Sequence, residues 1–104
     1  MRVKNLNYSS KNFPKPTCKC ETWILHWDIN KYPAENKQAG CCRGCGKCFD
    51  HSELCGGHVI KIDSEDRKRY IIPLCSSCNA KENAIFEVNE ADLISANCDY
   101  CLNK

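Results

Sequence analysis

Two Cys-x-x-Cys pairs with matched spacing, Cys45 to Cys48 and Cys75 to Cys78, restrict this chain more than any other feature in it. A turn of this kind points two thiolates at one tetrahedral ion, with S–metal distances of roughly 2.3 Å. One knuckle supplies half a site, so the two together predict a four-thiolate zinc centre of Cys45, Cys48, Cys75 and Cys78. Gly46 lies inside the first knuckle, where it permits the turn conformations required. That region holds four thiols, at 41, 42, 45 and 48. Cys42 with Cys45 has the same spacing and would serve chemically, Cys48-x-x-His51 would offer an imidazole, and Cys41 reads as a bystander.

Between the knuckles, Gly56-Gly57-His58-Val59-Ile60 and Tyr70-Ile71-Ile72-Pro73-Leu74 flank the charged stretch 63–69. Two β-branched runs around a segment too polar to bury predict a β-hairpin with its tip at that stretch. The second knuckle follows directly on the second strand, so the hairpin leads into a metal site. The glycine pair means that the backbone bends or is closely approached just before His58.

A second pair of thiols, Cys98 and Cys101, stands near the end of the chain, and Cys18-Lys19-Cys20 near its beginning. Joining them predicts a second structural zinc, bound by Cys18, Cys20, Cys98 and Cys101, that closes a long loop. Eleven cysteines in 104 residues are an odd number and far above average usage. Cys41, Cys42 and Cys55 remain outside the two sets. No apolar segment follows Met1-Arg2-Val3-Lys4, which predicts a cytoplasmic chain with no membrane span, whose thiols are reduced and bind metal rather than form a disulfide framework. A core of this size needs such reinforcement.

Residues 1–17 are polar, with Pro14 and Pro16, and read as an extended arm; residues 18–104 read as a single zinc-binding domain. Trp23, Ile24 and Trp27 recur at helical spacing. The helix is expected to start with Thr22 as N-cap and to end before Tyr32-Pro33. His26 projects about 100° from Trp27 and about 60° from Trp23 on the helix and reads as a surface histidine. The tryptophans read as core. Ala80 to Asn83 suggest one or two helical turns, and Ile85 to Val88 a short strand. The fold class is therefore a small zinc-stabilised α+β domain, with a β-hairpin, two knuckle sites and short helices.

A net charge of +2 gives no global field for nucleic acid, so any basic surface is local. Arg67-Lys68-Arg69 is the densest cluster, although Asp63, Glu65 and Asp66 lie beside it.

These residues carry two resemblances. Cys45-x-x-Cys48, His58-Val59-Ile60 and Pro73-Leu74-Cys75-x-x-Cys78-Asn79 resemble the HNH nucleases of the treble-clef, or His-Me finger, type. That resemblance implies a structural zinc on the two knuckles, His58 as general base, Asn79 at the final His or Asn position, and a catalytic Mg²⁺ or Mn²⁺. Gly57 stands where those enzymes carry a metal-binding carboxylate or His, and no asparagine lies between His58 and Cys75. The whole chain also resembles a group of short bacterial proteins with CxC, WxxHW, GxHV and IPLCxx(C/H)N motifs and a late Ser-Ala-Asn. Here these are Cys18 to Cys20, Trp23 to Trp27, Gly56 to Val59, Ile72 to Asn79 and Ser95 to Asn97.

Three functions follow. The first expectation is a nucleic-acid-binding module with a degenerate catalytic motif, contacting DNA or RNA through Arg67, Lys68 and Arg69. The alternatives are a metal-dependent HNH-like endonuclease using His58, and a zinc-held protein-interaction module whose partner the sequence does not identify.

Overall fold

The computed structural model describes residues 1–6 and 15–104. The hairpin forms as expected. Strands β2 (Leu54–Lys61) and β3 (Tyr70–Cys75) pair antiparallel with His58 opposite Ile71 and Gly56 opposite Pro73, and the charged stretch is the tip. Three further strands extend the pair to a five-stranded antiparallel sheet: β1 (Arg2–Asn5), β4 (Ile85–Glu87) and β5 (Ile94–Ser95), in the order β4-β1-β2-β3-β5. β4 covers most of the strand expected at 85–88.

The arm expected over residues 1–17 does not describe its first residues. Arg2–Asn5 lies inside the sheet between β2 and β4, with Val3 fully buried opposite Phe86. Buried Asn5 helps hold this strand: its amide nitrogen donates to the carbonyls of Asn79 and Lys81, both at 3.0 Å, and to that of Cys78 at 3.3 Å. Those carbonyls belong to the end of helix α2 (Ser76–Asn79) and the turn that follows it, so one side chain ties β1 to that turn. The remainder of the predicted arm, over 7–14, lies outside the described residues. The helical turns expected at 80–83 are taken by α2 itself, four residues earlier, and Asn83 turns the chain back with φ 64°.

Helix α1 (Trp23–Lys31) has the predicted bounds, with the Thr22 hydroxyl accepting from the Leu25 N–H and Tyr32 as C-cap. It crosses β2 and β3 on one face of the sheet. The glycine pair makes this possible, because a Cβ on Gly56 would stand 2.6 Å from the Trp23 backbone. One residue later the strand faces the other way: a Cβ on Gly57 would meet Leu74 at 2.4 Å and the Asn79 side chain at 3.2 Å. Thus α1 and α2 approach β2 from opposite faces, through adjacent glycines. The core gathers Val3, Ile24, Trp27, Leu54, Val59, Ile71, Ile72, Leu74 and Phe86. Among the described residues, no helix is long and apolar enough to cross a membrane.

Candidate metal centres and the His58 cleft

The first centre is built from the turn before β2 and the junction of β3 with α2. Cys42, Cys45, Cys75 and Cys78 place their sulfurs within 4.8 Å of one another. Three of these belong to the expected set; Cys42 stands in place of Cys48. The reason is the register of the turn. Cys41 and Cys48 face each other across an isolated antiparallel bridge and are joined in a disulfide, which leaves Cys42 to Lys47 as the loop between them. The Cys42 N–H donates to the Lys47 carbonyl at 2.8 Å and the Gly46 N–H to the Cys42 carbonyl at 3.0 Å, with Gly46 at φ +80°. The knuckle is therefore one step earlier than predicted, and the expectation of no disulfide is corrected at this pair.

The chemistry of the four thiols suits a divalent soft ion. Burial opposes ionisation of Cys42, but the backbone N–H groups of Cys45, Cys75 and Gly44 outweigh it and bring this thiol down to about 7. The Gly44 N–H lies 3.3 Å from the sulfur. Cys78, buried and hydrogen-bonded to Cys75 and Cys42, is pushed up to about 12. A set that holds one thiolate ready and crowds others beside it is one that a cation relieves.

The second centre ties the beginning of the described domain to its end. Cys18, Cys20 and Cys101 come together as expected, but the fourth donor within 4.8 Å is His26. The expected surface position for His26 is wrong: it is 1% exposed, because β5 and the C-terminal segment cover the side of α1 that carries it. Its Nε2 lies 2.8 Å from the Ser95 carbonyl. A carbonyl only accepts, so Nε2 carries the proton and Nδ1 presents its lone pair 3.4 Å from the Cys18 sulfur. Metal-binding histidines are oriented in this way, by a carbonyl on the far nitrogen. Two thiolates on one tetrahedral ion stand roughly 3.8 Å apart, which matches Cys20 and Cys101 at 3.7 Å. Cys98 donates to the Cys18 sulfur at 3.1 Å, outside the group of four. Cys101 is buried, yet the Asn30 amide and the Asn103 N–H, each at 3.3 Å, lower its pKa.

Both donor sets fit a metal ion such as zinc. Replacing Cys42 with Ser is expected to remove one ion per chain by elemental analysis, whereas Cys48→Ser keeps both. Equal loss from Cys48→Ser would return the knuckle to its predicted position.

The other thiol and imidazole candidates have different partners. Cys55 donates to the Leu74 carbonyl at 3.1 Å. His51 pairs with buried Asp28 at 2.7 Å, and the second Asp28 oxygen accepts from the Ala39 N–H.

His58 and Asn79 do not form one site. Gly57 is the residue of β2 that meets Asn79, whereas His58 points to the opposite face, with its ring edge-on to Trp23 at 5.0 Å. There it floors a cleft of about 500 Å³, walled by Trp23, Ser95, Asn97 and Tyr100 and rimmed by Lys68 and Arg69. Burial, followed by the charge of Arg69 and the proximity of His26, pushes His58 down to about 4. It is a neutral and weakly basic imidazole at neutral pH. No carboxylate lines this cleft among the described residues. Asp63 is bound to Arg2 at 2.7 Å, while Asp66 accepts from Tyr70 and from the Lys68 N–H. A hard ion such as Mg²⁺ or Mn²⁺ needs charged oxygen donors, and the residues around His58 do not fit one.

The sequence reading missed His26 and the cleft. The only signal for either was the closeness of His26 to Cys18 and Cys20 along the chain. Comparison with known protein families, curated proteins and solved structures finds no match.

Proposed function

We propose that the protein is a zinc-stabilised, treble-clef-like module that binds DNA or RNA and carries a degenerate nuclease motif. The treble-clef reading is supported by the order of parts: a knuckle at Cys42 and Cys45, the β2–β3 hairpin, then α2 opening on Cys75 and Cys78. The observation that carries the binding reading is the hairpin tip. Arg67, Lys68 and Arg69 are consecutive and exposed. Two of the acidic neighbours that made this cluster ambiguous are engaged: Asp63 with Arg2, and Asp66 with Tyr70 and Lys61. The field at the tip is therefore positive in spite of the small net charge, and phosphates are the complementary partner.

The nuclease reading loses its support at the same place. A general base serves best with a pKa near the working pH, and His58 is far below it, without Asn79 or an acidic metal ligand nearby.

Neutralising Arg67, Lys68 and Arg69 together to Gln tests the proposal. The salt dependence of binding, as the slope of log K against log salt, should fall by about three, roughly one per lost phosphate contact. Titration by fluorescence anisotropy at several salt concentrations measures this. An unchanged slope, or no binding at low salt, would sink the nucleic-acid reading and leave the protein-interaction module.

A further inference from the structure

The hairpin tip explains attraction to phosphate but not the cleft beside it. Stretches far apart in sequence converge there: Trp23 from α1, His58 from β2, Lys68 and Arg69 from the tip, and Ser95, Asn97 and Tyr100 from the C-terminal segment. Its volume of about 500 Å³ lies within the range of sites for small organic ligands. One wall is unusual for its exposure. Tyr100 is 72% exposed, yet its backbone is fixed on both sides. Its N–H bonds the Asn97 carbonyl, the next N–H bonds the Cys98 carbonyl, and the Asn97 side chain caps the Asp99 N–H at 2.9 Å. The turn that carries it ends on the candidate ligand Cys101. Opposite, Trp23 is steadied by edge contacts to His26 at 5.2 Å and to His58 at 5.0 Å. The cleft thus has aromatic surface from Trp23 and from Tyr100, carried on a hydrogen-bonded turn, and cations in its lining.

We infer that this cleft takes one unstacked nucleotide of a single strand, with the base against Tyr100 and Trp23 and its phosphate against Lys68 and Arg69. The inference rests on the nucleic-acid reading above and makes it specific. Cations at the tip would hold a duplex as well as a single strand. An aromatic platform does not, because bases stacked in a duplex present only their edges, whereas a splayed base presents its face. The floor of buried His58, packed edge-on against Trp23, offers ring surface that suits a base rather than a second phosphate.

The test uses the full metal-loaded chain, a labelled ten-nucleotide single strand, its duplex and a free nucleoside monophosphate. The single strand should bind at least about tenfold more tightly than the duplex, and Tyr100→Ala should weaken the single strand by roughly 5- to 100-fold, the range of an aromatic–base stack. Duplex affinity should stay unchanged, and Tyr100→Phe should restore the single-strand value. Tyr100 is exposed, so metal content should be unaltered in both variants. If single strand and duplex bind equally and neither responds to Tyr100→Ala, the cleft is not a base site, although the nucleic-acid reading stands. Competition by the free monophosphate at the concentration of the strand would overturn the assignment to a strand. Failure of every probe to bind would remove both readings.

Discussion

In excess chelator the protein should lose its tertiary structure cooperatively, and elemental analysis of the untreated protein should find two ions per chain. The two donor sets join segments far apart in sequence: one brings the 42–45 turn to the β3–α2 junction, the other brings residues 18–26 to Cys101. Structural zinc contributes on the order of 10 kcal/mol or more of apparent folding free energy at a site of this kind. The stability of a whole small domain is of comparable size, about 5 to 15 kcal/mol. Loss of either ion should therefore exceed what the remaining core supplies. Near-UV dichroism would follow the loss, and an unchanged spectrum in chelator would show that the fold does not depend on these centres.

Trp27→Ala should be the most damaging change outside the metal sets, with a loss of about 3 to 5 kcal/mol. Trp27 is fully buried, donates its indole N–H to the Asp92 carbonyl at 2.8 Å, and lies under the Arg43 guanidinium at 5.3 Å. Arg43 in turn bonds the Asp92 carboxylate at 3.0 Å. Removing the ring opens a cavity, leaves the Asp92 carbonyl without its indole donor and uncovers the Arg43 guanidinium. Trp23→Ala should cost clearly less, because Trp23 is only partly buried and borders the cleft. Urea midpoints of the metal-loaded proteins measure both. Equal losses would mean that Trp23 is as much a part of the core as Trp27.

The two tryptophans illustrate how far the sequence could be read. Their helical spacing identified the helix and its caps, yet both read as core. Which face of α1 meets the sheet, and which meets the cleft, depends on Gly56 letting the helix backbone approach β2. The hairpin was legible for a similar reason: two β-branched runs and a charged tip are local signals, spread over about twenty residues. β1 was not legible, because four polar and apolar residues near the beginning of the chain have no pattern that outweighs a nearby proline pair. Their place between β2 and β4 follows from the carbonyls that Asn5 satisfies more than seventy positions away.

The metal centres divide along the same line. Residue chemistry and spacing were enough to predict that thiols from two distant pairs meet at each of two centres, since a Cys-x-x-Cys turn has little other use for its geometry. They were not enough to choose among neighbouring thiols. Cys42 and Cys48 are each three residues from Cys45, and the choice between them was made by the bridge that pairs Cys41 with Cys48. His26 joins a candidate donor set because Ser95, 69 residues later, bonds its far nitrogen and turns the near one toward Cys18. Capping, periodicity and ligand spacing act within a turn or two of the chain, so they are written in adjacent residues. Register, burial and the orientation of an imidazole arise from contacts between distant segments, and these exist only once the sheet has closed around them.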